Sequence, residues 1–137
     1  MWLKKAIARA RARRRARRML APYLERTAWS CPATEPQWLT PAIAGFMAGA
    51  ITRITAPEAR DTDDLAALQL HLWADLTGGA PDLFATRLHL ASTSGDPDIR
   101  DGHARGIRFA ALLLAGDEDA ARDAWDTGVT QILRAAP

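Results

Sequence analysis

The chain has 137 residues, 48% of them apolar and 25% charged, a balance that suits one ordinary folded domain and excludes fibrous and low-complexity classes. Its single cysteine, Cys31, rules out an intrachain disulfide, a CxxC redox pair and a thiolate zinc cluster, and fits a reducing, cytoplasmic setting. The net charge of +2 hides an asymmetry, because residues 1–18 hold nine cations and no acid while residues 19–137 hold nine cations and sixteen acids, a net of −7.

The nine are Lys4, Lys5, Arg9, Arg11, Arg13, Arg14, Arg15, Arg17 and Arg18. They divide the chain into a basic arm over residues 1–18 and a single all-helical domain over residues 19–137. Such asymmetry points to an arm that meets a polyanion, an anionic membrane surface or the acidic body itself. The arm is no standard signal peptide: Met19 to Leu24 contains Pro22 and runs at once into Glu25 and Arg26, leaving no apolar stretch to insert. Arg17 and Arg18 lack that stretch too, so they do not form a twin-arginine export signal. Organellar transit peptides share the arm's Arg-rich, acid-poor composition.

In chain order, the first predicted helix runs from about Trp2 to Trp29, with a kink or restart at Pro22, where the N–H is missing. On a helical wheel Trp2, Leu3, Ala6, Ile7 and Ala10 share a face that Arg13, Arg14, Arg17 and Arg18 take over further on. Ala8, Ala12, Ala16, Met19 and Leu20 lie across from it. A lipid-inserting helix needs an apolar face that persists. This pattern suits phosphate contacts or solvation better, with a shallow Trp2, Leu3 and Ile7 anchor beside anionic headgroups as the membrane alternative.

A loop over residues 30–40 carries Pro32 and Pro36. Thr40 then reads as an N-cap with Pro41 at the first helical position, opening a helix that ends before Pro57. That helix is apolar nearly all round except at Arg53 and belongs in the centre or at an interface. Its longest apolar run, Pro41 to Thr52, is too short to span a membrane. Asp61, Asp63 and Asp64 lead a third helix striped by Leu65, Leu68, Leu72 and Leu76 and stopped at Gly78 and Gly79. A short helix follows over about Pro81 to Ser92. The fifth opens at Pro97, gathers Ile99, Gly102, His103, Gly106, Ile107, Ala110, Leu113 and Leu114 on one side, and ends at Gly116. The last, from about Asp117 to Ala135, turns Ala121, Ala124, Trp125, Gly128, Val129 and Ile132 inward.

Gly116, Asp117, Ala121, Trp125 and Gly128 resemble the second half of a tetratricopeptide repeat, whose stacked helical hairpins serve as protein-binding scaffolds. The likeness spans about a dozen residues, and such repeats need about three copies to close a core. It therefore implies an antiparallel helix hairpin.

Two glycine pairs, Gly45 with Gly49 and Gly102 with Gly106, repeat at the four-residue spacing that lets helix backbones approach closely. Gly45 and Gly49 read either as tight core packing or as the seam of a homodimer. His103, between two glycines on an apolar side, reads either as a buried imidazole bonded to backbone or as the base or ligand of a small pocket. His71 and Asp75, four apart, read as a surface pair without a nucleophile beside them. Asp96, Asp98 and Asp101 depart from calcium-loop spacing and read as helix-start acids. No GxSxG, P-loop, HExxH or GxGxxG pattern occurs, so no metal or cofactor is implied.

The expectation is an all-α, compact bundle of about five or six helices with a basic N-terminal helical arm. In function it reads as a non-enzymatic binding or regulatory protein: the body holds a protein partner or dimerises, and the arm contacts something anionic. Two other classes stay open, a nucleic-acid-binding protein and a small-ligand bundle or enzyme built around His103.

Overall fold

A computed structural model of the chain describes residues 2–27, 40–59, 61–78, 86, 89, 93 and 95–135. The expected loop over 30–39 with Cys31, the stop at Gly79 and nearly all of the short helix expected over 81–92 lie outside the described residues. The described part is a compact helical assembly with no strand among the described residues. Its elements are α1 (Trp2–Arg26), α2 (Pro41–Thr55), α3 (Thr62–Thr77), α4 (Pro97–Leu114), α5 (Glu118–Trp125), a π-helical turn (Asp126–Thr130) and α6 (Gln131–Ala135).

The helix starts follow the capping chemistry in the sequence. The Thr40 hydroxyl accepts from Ile43 N at 3.3 Å with Pro41 in the first turn. Asp61 accepts from Asp64 N at 2.8 Å, Asp96 from Asp98 N at 2.8 Å and Asp117 from Ala120 N at 3.3 Å. Each side chain satisfies a backbone donor that has no partner inside its helix. Asp96 is thus a cap, and no cluster of three or more metal-ligating side chains occurs among the described residues. At the other end of α3, Gly78 takes φ 77° and donates to Ala74 O, a left-handed closure that glycine adopts without Cβ strain.

The centre of the fold is the pairing of α2 with α4. Gly45 abuts the backbone of Ile99 and His103, and Gly49 abuts His103; in return Gly102 abuts Ala42 and Phe46, and Gly106 abuts Phe46 and Ala50. Residue numbers rise together on both sides, so the two helices run parallel with their glycine ridges interlocked. A methyl group at any of these four positions would overlap a backbone carbonyl oxygen of the other helix. Gly45 and Gly49 are therefore buried by α4 of the same chain. Their ridge is a core seam, and it offers no exposed surface to a second copy.

Around this seam a core forms from Ile43, Phe46, Met47, Ile51 and Ile54 of α2, Leu72 and Trp73 of α3, Phe109 of α4, and Trp125 and Val129. Tyr23, Phe46, Phe109 and Trp125 meet with ring centroids 5.0–5.7 Å apart, within the range of favourable edge and tilted aromatic pairs. Gln69 links α3 to α2 by donating to Ala48 O at 2.9 Å and Thr52 Oγ1 at 3.1 Å, while accepting from Trp73 Nε1 at 3.3 Å.

Two expectations are corrected. α1 does not restart at Pro22 but runs on as one helix and places the ring on its exposed side, where the missing N–H costs one helix bond but no core packing. The last segment is one continuous helical stretch over Glu118–Ala135, as expected, and carries a π-turn at Asp126–Thr130 in which Gly128 lies so close to the Phe46 ring that a Cβ would collide with it. In α4 the core takes Phe109, which the wheel left out, and leaves Leu114 exposed.

Candidate functional site

The basic segment was the sequence's one unusual feature, and its geometry follows from a stripe of small and apolar residues. Ala12, Ala16, Leu20 and Leu24 recur every four residues and are buried, which turns one arc of α1 onto α2 and α3. Ala16, Leu20 and Leu24 belong to the same core as Phe46 and Trp125. The helix crosses positions 18 and 19 unbroken, so residues 12–18 contribute apolar contact to the body.

The stripe also sorts the nine cations. Those flanking it reach acids of the body. Arg13 grips Asp75 with Nε 2.5 Å from Oδ2 and a second nitrogen 2.7 Å from Oδ1. Arg15 grips Glu58 at 2.5 and 2.6 Å and donates to Ile54 O at 2.6 Å. That last bond satisfies one of the terminal carbonyls of α2 and sets a cation at its negative end. Arg9 approaches Asp64 at 3.6 Å, an ion pair too long to be a hydrogen bond. Beyond the basic segment, Arg26 meets Asp126 at 3.2 Å, and Asp126 also accepts from Thr130 Oγ1 at 3.0 Å across the π-turn.

These bonds perturb the acids as expected for charge-assisted pairs. The Arg15 fork holds the Glu58 carboxyl below the usual range against the opposing effect of partial burial. Arg13 does the same for Asp75, with smaller help from Arg17 and His71. Arg26, then Thr130, lower Asp126. Burial raises the Tyr23 phenol, with Glu118 adding to the shift.

The other six cations, Lys4, Lys5, Arg11, Arg14, Arg17 and Arg18, are solvent-exposed and form no salt bridge among the described residues. Lys4, Arg11, Arg14 and Arg18 share the outward arc of α1 with Leu3 and Ile7, at 3.6 residues per turn. The first turns also overhang the body. Trp2 lies five turns before Leu20 and so on the same side of the helix, which corrects the placing of Leu20 across the wheel from it; yet Trp2 is 77% exposed and Leu20 is 0% exposed. No acid occupies the first turn of α1, where Lys4 and Lys5 stand instead, against the preference of a helix dipole for negative charge at that end.

His103 is half-buried, and its backbone forms the seat of Gly45 and Gly49. Two grooves lie elsewhere. One runs past Met19, Tyr23, Arg26, Leu113 and Arg122, the other past Arg105, Arg108, Leu112, Asp123 and Thr127. The Asp75 carboxylate expected beside His71 is held by Arg13, and His71 itself is exposed. No helix among the described residues is long and apolar enough to cross a membrane.

Sequence reasoning named all nine cations but not their division into inward and outward sets. The signal was present in the Ala12, Ala16, Leu20 and Leu24 spacing, which orients the helix and so decides which arginines meet acids. Comparisons with protein-family models, with curated proteins and with solved structures gave no match.

Proposed function

We propose that this chain is a non-enzymatic helical binding or regulatory protein that meets an anionic partner through the outward face of α1. The supporting observation is the division of the basic segment. Arg9, Arg13 and Arg15 are committed to acids of the body, while six cations on the same helix point to solvent with no salt bridge among the described residues. Salt bridges to the −7 body account for the first three; Arg11 and Arg17 act on Glu58 and Asp75 only through weaker, longer-range attraction, which leaves the six without a salt bridge among the described residues. Four of the six, Lys4, Arg11, Arg14 and Arg18, share the outward arc, and cations clustered on one face raise the local concentration of an anionic partner and speed its encounter.

The test compares the full chain with a variant carrying glutamine at positions 4, 5, 11, 14, 17 and 18. Both are titrated against labelled duplex DNA and against anionic vesicles at two salt concentrations. The wild-type chain is expected to bind at least one of these partners, with affinity falling steeply as salt rises through counterion release or screening. The variant should keep its fold and lose that binding. Equal binding by the two proteins, or none by either, would remove the outward face as a contact surface.

A further inference from the structure

We infer that the anionic partner is a lipid surface, met with α1 lying along the headgroups and with Trp2, Leu3 and Ile7 seated among them. The inference rests on the reading of α1 as an anion-contacting face and adds the class of partner. Trp2, Leu3 and Ile7 are 77%, 61% and 48% exposed, and among the described residues the remaining exposed large hydrophobic side chain is Leu114. Leu3 and Ile7 thus face water on the outward arc, and Trp2, on the core side of the helix, faces water because the first turn overhangs the body, so the three wrap the tip of α1. Side chains of a helix lean toward its N-terminus, so Trp2 and Leu3 extend past the end of α1.

The apolar and basic groups are arranged as an interfacial helix needs them. Leu3 and Ile7 lie one turn apart on the arc that continues through Arg14 and is flanked by Lys4, Arg11 and Arg18. Shallow burial of the first two turns therefore brings four cations to the level of anionic headgroups. Tryptophan at the tip matches the preference of that ring for the membrane–water boundary. Headgroup phosphates beside Lys4 also supply the negative charge that the first turn of α1 lacks. The acidic body lies on the far side of α1, so repulsion from the same surface fixes a single orientation.

A nucleic acid would use the cations but not the aliphatic groups. Phosphate contacts need only charge, and residues 2–18 offer one aromatic ring for base stacking and no Asn or Gln for base edges. An acidic protein groove would call for apolar anchors continuing along the helix, whereas the outward arc passes from Ile7 to Arg14 and Arg18.

The experiment uses the full chain with vesicles of phosphatidylcholine and phosphatidylserine in a ratio of roughly two to one, vesicles of phosphatidylcholine alone, and labelled duplex DNA. Cosedimentation and tryptophan emission are read for the wild type, for Trp2→Phe, and for a chain with Trp2→Ser, Leu3→Ser and Ile7→Ser together. These side chains lie outside the core, so circular dichroism and melting should be unchanged. The wild type is expected to bind the mixed vesicles far better than the neutral ones. It should show a blue shift of emission that Trp2→Phe abolishes, and the triple variant should bind the mixed vesicles about a hundredfold more weakly. Equal vesicle binding by wild type and triple variant would overturn the inference. Binding to DNA without binding to vesicles would also overturn it while leaving the anion-contacting face in place, and binding to neither would end both readings.

Discussion

The α2–α4 seam and the α1–body seam join helices by opposite means. In the first, four glycines remove the side chains and let backbone meet backbone. In the second, a narrow stripe of alanines and leucines carries the contact, and guanidinium forks clip its edges to Asp75 and Glu58. A backbone seam admits almost no adjustment, since an added atom meets a carbonyl rather than a movable side chain. A clipped seam depends on charge and therefore responds to pH and salt. The protein thus has a sterically fixed centre and an electrostatically fastened basic helix.

The sharpest way to break that contrast is to add one carbon to the seam. Gly106→Ala places a methyl against Phe46 O and is expected to cost about 3 kcal/mol or more; Gly49→Leu should abolish cooperative unfolding. Gly78→Ala, whose Cβ would meet nothing within 4 Å, should cost only about 1 kcal/mol, from its positive φ. Chemical denaturation of the three variants measures this. Equal losses for Gly106→Ala and Gly78→Ala would show that α2 and α4 do not touch through their backbones.

Much of this architecture was legible because it rests on local chemistry. Thr40, Asp61, Asp96 and Asp117 cap where the sequence places them, and the apolar girth of α2 foretold its central position. The glycine spacing gave close packing but not the partner, since helix ridges look alike until the chain's own topology brings Gly45 beside Ile99. The π-turn left no local sign, and the Phe46 ring against which its Gly128 lies is 82 residues away in sequence. In the candidate site, composition gave the charge and hid its division. Arg13 and Arg14 are neighbours in sequence, and only the orientation of α1 sends one to Asp75 and the other to solvent.

The next effect in size concerns the clip. Arg15→Gln removes both Glu58 bonds and the bond to Ile54 O and is expected to destabilise the fold by about 1–2 kcal/mol. Glu58→Gln should cost less, because the bond to the α2 carbonyl survives. A double-mutant cycle on denaturation free energies isolates their coupling, and a coupling near zero would make the fork ornamental to stability.

Acid should act on the same clips. Glu58, Asp75 and Asp126 titrate lower in the fold than in the unfolded chain. Their contribution is complete above the unfolded values near pH 4 and is lost as pH falls through the folded ones. Melting temperature should therefore drop on the acid side, and Glu58→Gln with Asp75→Asn should flatten that limb. Tyr23 works in the other direction: its raised phenol gives stability that is complete below the unfolded value near pH 10 and is lost as pH rises above it.

The smallest effect is expected at the far end of α1. Arg26 and Asp126 meet at 3.2 Å through one nitrogen, with the two side chains 48% and 30% exposed, against 26% and 15% for Arg15 and Glu58. An exposed single contact gains little over hydration and is screened by salt, whereas a more enclosed fork keeps more of its attraction. Arg26→Gln should therefore cost no more than about 0.5 kcal/mol in dilute buffer and nothing measurable in high salt. The Arg15→Gln loss should persist under both conditions. Denaturation midpoints for the two variants at low and high salt make the comparison directly. If both losses vanish together, the clips along α1 are all surface pairs and the Ala12 to Leu24 stripe alone fastens the helix; if Arg15→Gln keeps its cost, the fastening is graded, strongest beside the end of α2.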